Sequence, residues 1–129
     1  MARAETNFQN RVRSMLGIPS DRIEITHGST PGFPDTVFWP SGASVPVEFK
    51  VGRLQEGRLR ADFTPVQKLW WRKAKQKGYR AFAIVGLEGK AVFVPIDKVP
   101  TLWGEGLTPW TATLLEGSPL SRAFKDQLS

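Results

Sequence analysis

Apolar positions along this chain recur with two different periods. Between residues 3 and 16, Phe8, Val12, Met15 and Leu16 come three and four apart and share one face of a predicted helix. Glu5 falls on the same stripe, and Gly17 and Pro19 end the run. Arg22 to Thr26 alternates and reads as a short strand, followed by a loop from His27 to Gly32. Thr36, Val37, Phe38 and Trp39 read as a second strand. Residues 45–51 alternate strictly: Val45, Val47, Phe49 and Val51 take one face, Glu48 and Lys50 the other. Pro40 to Ser44 supplies turn residues between these strands. Residues 52–63 are basic, carry Gly52 and Gly57, and read as a loop.

A second helix is predicted over 65–78. Thr64 is its N-cap, Pro65 opens it, Gln67 completes a capping box and Gly78 closes it. Val66, Leu69, Trp70 and Ala74 form the expected core stripe, with Gln67, Trp71 and Lys75 on a neighbouring face. Ala81 to Val85 is a continuous apolar run, as in a buried central strand. Ala91 to Val94 pairs back on it through a turn at Glu88–Lys90, and Pro95 stops it. Short helices are expected at 96–102 and at 119–128, with Trp103 and Trp110 requiring burial. The order α-β-β-β-α-β-β predicts one α/β domain over 1–129: a mixed central sheet flanked by helices, with its core at about 3–95 and a C-terminal extension at 96–129.

Chemistry enters at Gly32-Phe33-Pro34-Asp35 and Glu48-Phe49-Lys50. A hairpin turning about Gly42 and Ala43 would set Trp39 opposite Pro46, Val37 opposite Glu48 and Asp35 opposite Lys50. Asp35, Glu48 and Lys50 would then share a face, with Asp35 and Glu48 diagonal at about 7–8 Å. Two carboxylates and a lysine so placed can share a divalent metal and hydrolyse a phosphodiester. The alternative is a solvated turn aspartate and a surface Glu-x-Lys pair of little energetic weight. Glu5 could reach the site or serve as a helix N-terminal acid, and Gln67 could act there or only cap.

Composition narrows the chemistry. The chain has no cysteine and a single histidine, His27, which excludes disulfides, thiolate zinc sites and multi-histidine centres. Carboxylate oxygens suit Mg²⁺ or Mn²⁺. There is no signal-like apolar segment and no run of about 18 apolar residues, so a cytoplasmic location without membrane contact is expected. Net charge is +6, and pI is near 10.1. From Lys50 to Arg80 ten Lys/Arg oppose only Glu56 and Asp62, a local excess of +8 that points to a polyanionic partner.

Pro34-Asp35, Glu48-Phe49-Lys50, the Gln67 helix and the apolar strand after Gly78 resemble the PD-(D/E)XK nuclease superfamily, with its restriction-endonuclease-like α-β-β-β-α-β core. The likeness extends to small VRR-NUC-like proteins, often phage-encoded, and to Holliday-junction resolvases, with His27-Gly28-Ser29 ahead of the aspartate. Pro46 inside the catalytic strand departs from the pattern and implies an edge or an irregularity there. The resemblance implies that Asp35, Glu48 and the Phe49 carbonyl ligate Mg²⁺ (or Mn²⁺). Lys50 would orient or activate the attacking water and neutralise the phosphorane charge, with Glu5 and Gln67 assisting. DNA would contact His27, Ser29, Arg53, Arg58, Arg60, Lys68, Trp71, Arg72 and Lys75. The expected activity is Mg²⁺-dependent DNA endonuclease, selective for branched or junction DNA and acting as a homodimer. A homing, restriction-type or nicking enzyme, or an inactive DNA-binding module of the same fold, remains open.

Overall fold

The computed structural model describes residues 3–22, 32–34, 36–39, 44–87, 90–108 and 113–114. Its elements are α1 (Arg3–Leu16), β1 (Ser20–Arg22), β2 (Thr36–Phe38), β3 (Val45–Val51), β4 (Arg53–Gln55), β5 (Arg58–Arg60), α2 (Pro65–Lys77), β6 (Phe82–Leu87), β7 (Lys90–Pro95) and β8 (Thr113–Leu114), with a 3₁₀ turn at Val99–Leu102. Six strands form one mixed sheet in the order β1-β2-β3-β6-β7-β8. Among the described strands only β3 and β6 run parallel, and α2 lies in the crossover such a pair requires.

The alternation in β3 divides the molecule into two cores. Val45, Val47 and Phe49 join Phe38, Ile84 and Ala91 against Phe8, Val12 and Leu16 of α1. Phe8 meets Phe49 edge-on, with ring centroids 6.0 Å apart. The opposite face carries Ala83 and Val85, packed with Trp70, Trp71 and Ala74 of α2 and with Leu59, Phe63, Val99 and Leu102. Glu48 is paired with Ala83 and Lys50 with Val85, so both charged residues point into the α2 side.

Several expectations are corrected. The β2–β3 register sets Val37 opposite Pro46 and Thr36 opposite Val47, displaced by two residues from the predicted pairing. A two-residue shift preserves which face each side chain takes. The first described strand is Ser20–Arg22, which starts two residues ahead of the predicted one; residues 23–26 lie outside the described residues. Val51 is 47 % exposed, because β3 ends there. Pro46 precedes the first residue paired with β6, Val47, so its missing donor falls where β3 has no neighbour on that side. Residues 53–60 form a two-stranded ribbon instead of a loop. Its turn is Glu56-Gly57, both left-handed at φ 55° and 75°, as a two-residue hairpin demands. The C-terminal helix expected at 119–128 and Trp110 lie outside the described residues.

Helix α2 is rotated relative to the predicted stripe. Trp71 is fully buried, while Val66 and Leu69 are 45 % and 50 % exposed. This overturns Trp71 as a DNA contact. Its ring packs 5.1 Å from Trp70 and 6.5 Å from Phe63. Its indole nitrogen has no hydrogen-bond partner among the described residues, and ring packing surrounds it. Trp71→Ala should therefore lower unfolding free energy by about 3–5 kcal/mol in urea titrations. A loss under about 1 kcal/mol would contradict this placement.

Candidate active site

Glu48 and Lys50 are carried by the same strand, two residues apart, and both face α2. The Glu48 side chain is 5 % exposed and that of Lys50 14 %. Lys50 Nζ lies 3.8 Å from Glu48 Oε1 and 4.7 Å from the centroid of the Phe63 ring. Taking both charges from water costs several kcal/mol per ion unless further hydrogen bonds satisfy them.

Gln67 supplies those bonds. Its Nε2 donates to Glu48 Oε1 at 2.7 Å, and its Oε1 accepts from Lys50 Nζ at 3.0 Å. The same Oε1 accepts from the Thr64 main-chain N–H at 2.9 Å, while Gln67 N–H donates to Thr64 Oγ1 at 3.2 Å. The capping box and the charged pair therefore share one amide. Both lone pairs of Oε1 are used, which fixes the amide orientation: a flipped amide would aim its NH₂ at two donors. Thr64, Pro65 and the left-handed Gly78 bound α2 as the sequence predicts. Gly32 comes so close to the first turn of α2 that a Cβ there would collide with the Val66 carbonyl. This brings the Gly32-Phe33-Pro34 turn beside Gln67, with Phe33 edge-on to Trp70 at 5.3 Å.

The structure thus brings Glu48, Lys50 and Gln67 together on the α2 side of β3, with the Phe49 side chain on the opposite face. Asp35, His27 and Ser29 lie outside the described residues. Thr36, which follows Asp35, is fully buried and opposes Val47. Glu5 lies in α1, and its side chain is outside the described set. Of the expected basic contacts, Arg53 is paired with the exposed Asp62 at 3.0 Å. Arg72 sits over the Trp103 ring at 5.9 Å, and Lys75 donates to the Asp97 carbonyl at 3.5 Å. Arg58 and Arg60 donate to main-chain carbonyls at 104–105. Lys68 is half-buried on α2. Phe63, under Lys50, was missed in the sequence because it closes a segment read as a loop. Gln9 of α1 is a buried polar side chain, 1 % exposed, that the sequence reading did not single out.

Among the described residues no group of three or more His, Cys, Asp or Glu side chains is gathered. The described cluster contributes one carboxylate, Glu48. Its oxygen chemistry, with neither sulfur nor imidazole beside it among the described residues, fits a hard divalent cation.

A mixed sheet with a parallel central pair, one helix on each face and a charged strand end under the crossover helix defines a restriction-endonuclease-like α/β fold. In particular, the chain is similar in structure to Hjc, a Holliday junction resolvase from the archaeal hyperthermophile Archaeoglobus fulgidus. The TM-score is 0.52 with 13 % sequence identity, over 95 % of this chain and 93 % of that one. At that identity the likeness concerns the fold. No protein-family model and no curated protein matches the sequence. No helix among the described residues is long and apolar enough to cross a membrane.

Because one amide serves both cap and charges, Gln67→Ala should cost about 1–3 kcal/mol of stability in thermal or urea unfolding. Wild-type stability in that variant would show that the bridge carries no energy.

Proposed function

We propose that this chain is a metal-dependent DNA endonuclease that hydrolyses phosphodiester bonds, with branched or junction DNA as its substrate. The observation that carries the proposal is the buried Glu48–Gln67–Lys50 bridge. A buried ion pair is a poor device for stability, since a well-packed apolar pair serves as well. Breaks in fold-level consistency of this kind concentrate at functional sites. The likeness to a junction resolvase supports the substrate class. The +8 excess between Lys50 and Arg80 supports a polyanion.

In this reading Glu48 and Asp35 hold Mg²⁺ or Mn²⁺, with the Phe49 carbonyl as a further oxygen donor. A divalent cation held there would supply Lewis acidity toward water and the phosphoryl oxygens. Lys50 Nζ keeps one N–H on Gln67 and offers its remaining donors to the attacking water or to a phosphoryl oxygen as negative charge develops. Gln67 fixes the position of that ammonium and turns Glu48 through its other end. Phe63 limits water on the side of Lys50 that it covers. Two symmetric cuts on a junction need two such sites, so a homodimer belongs to the proposal.

Lys50→Ala tests this directly. Single-turnover cleavage of a four-way junction should fall by about a hundredfold or more, while junction binding survives. Cleavage at the wild-type rate would refute the role given to Lys50.

A further inference from the structure

The β4–β5 ribbon begins three residues after Lys50 and is not used by the site itself. Opposed residues of a ribbon share a face. Arg53 opposes Arg60, Gln55 opposes Arg58, and Leu54 opposes Leu59. One face is therefore three arginines and a glutamine, and the other is leucine. Leu59 is fully buried, and its main chain exchanges hydrogen bonds with Leu107 at 3.2 and 2.8 Å. The ribbon is thus anchored on the body along β5. Arg60 donates to the carbonyls of Gly104 and Glu105, and Arg58 to that of Glu105 at 3.4 Å. Gly106 is left-handed at φ 92°, and a Cβ there would lie 2.6 Å from Arg58 Cβ. Only glycine lets the 104–106 segment press on the arginine stem.

Beside this contact runs a cleft of about 360 Å³, lined by Arg58, Lys98, Thr101, Glu105 and Gly106 among others. Lys98 is exposed and approaches from the segment preceding the 3₁₀ turn. Thr101 adds a hydroxyl, whose proton goes to the Lys98 carbonyl at 2.6 Å while its oxygen keeps acceptor capacity. Two cations from different elements converge on one cleft, next to an arginine face held in place by main-chain carbonyls.

We propose that this cleft is a second DNA subsite, distinct from the Glu48–Lys50 centre, which seats a backbone phosphate of a duplex arm between Arg58 and Lys98. The inference rests on the nuclease reading for its substrate but makes its own demand on binding. Extended chain advances about 3.3 Å per residue. The five residues from Lys50 to Gln55 thus span at most roughly 17 Å, about five base-pair steps along a duplex. A grip within that reach, at Arg58 opposite Gln55, holds one arm while the scissile strand crosses Lys50. Phosphate contacts position a duplex without reading its sequence, which suits an enzyme that recognises DNA by shape. Glu105 lines the same cleft with the opposite charge and gives the proposal a sign.

The test measures binding of a fluorescent four-way junction and of its linear duplex arm in EDTA, across a salt series. Lys98→Gln leaves the main-chain bonds of residue 98 in place. It should weaken binding and reduce the slope of log affinity against log salt by about one. Glu105→Gln should tighten binding. Thermal melting of each variant reports whether the fold is intact. Unchanged slope and affinity in Lys98→Gln, or no response to Glu105→Gln, would overturn the subsite. Because no cleavage is needed, the two readings fail separately. Shifts of the expected sign without cutting under any metal would support the subsite and remove the nuclease.

Discussion

Everything on the α2 side of the sheet follows from one side-chain amide. Glu48 and Lys50 are held out of water on the same face of β3, and a charged pair in that position must be hydrogen-bonded. Gln67 meets the requirement from across the gap, accepting from Lys50 and donating to Glu48. Once Gln67 points inward, Trp71, four residues on, points inward too, and Leu69 is carried to the surface. The rotation of α2, the burial of two adjacent tryptophans and the exposed apolar positions of its outer face are then one consequence.

The same amide ties local to tertiary structure. Gln67 completes the α2 capping box, so the helix start and the charged pair form as a unit. The glycine at 32 gives way to the Val66 carbonyl, which lets the chain preceding Asp35 lie against that first turn. The other face of β3 has no such demands and is filled by Val45, Val47 and Phe49 against α1. One strand thus builds an ordinary apolar core on one side and a hydrogen-bonded charged cluster on the other.

Much of this was legible in the sequence. The alternation of 45–51 gave the faces of Glu48 and Lys50, and Thr64-Pro65-x-Gln67 with Gly78 gave the limits of α2. What was not legible has physical reasons. Period-two alternation fixes a face but tolerates a two-residue slip, so the β2–β3 register was missed while its consequence for side-chain direction was not. Apolar residues surround α2 on more than one side, and pattern alone favoured Val66 and Leu69 over Gln67 and Trp71. A glutamine turned inward becomes favourable only when its buried partners, two elements away, are known. The ribbon at 53–60 was hidden because Glu-Gly is a less common hairpin turn than Asn-Gly or Asp-Gly, and its apolar positions are only Leu54 and Leu59.

The central claim is that this charged cluster is a hydrolytic centre for DNA. Its most direct test is incubation of supercoiled plasmid, a four-way junction and a linear duplex with the purified protein in Mg²⁺, Mn²⁺ or EDTA, beside Asp35→Ala. The account predicts cutting that requires the metal, prefers the junction and disappears in the variant. Binding without cutting under either metal, or equal cutting by Asp35→Ala, would contradict it.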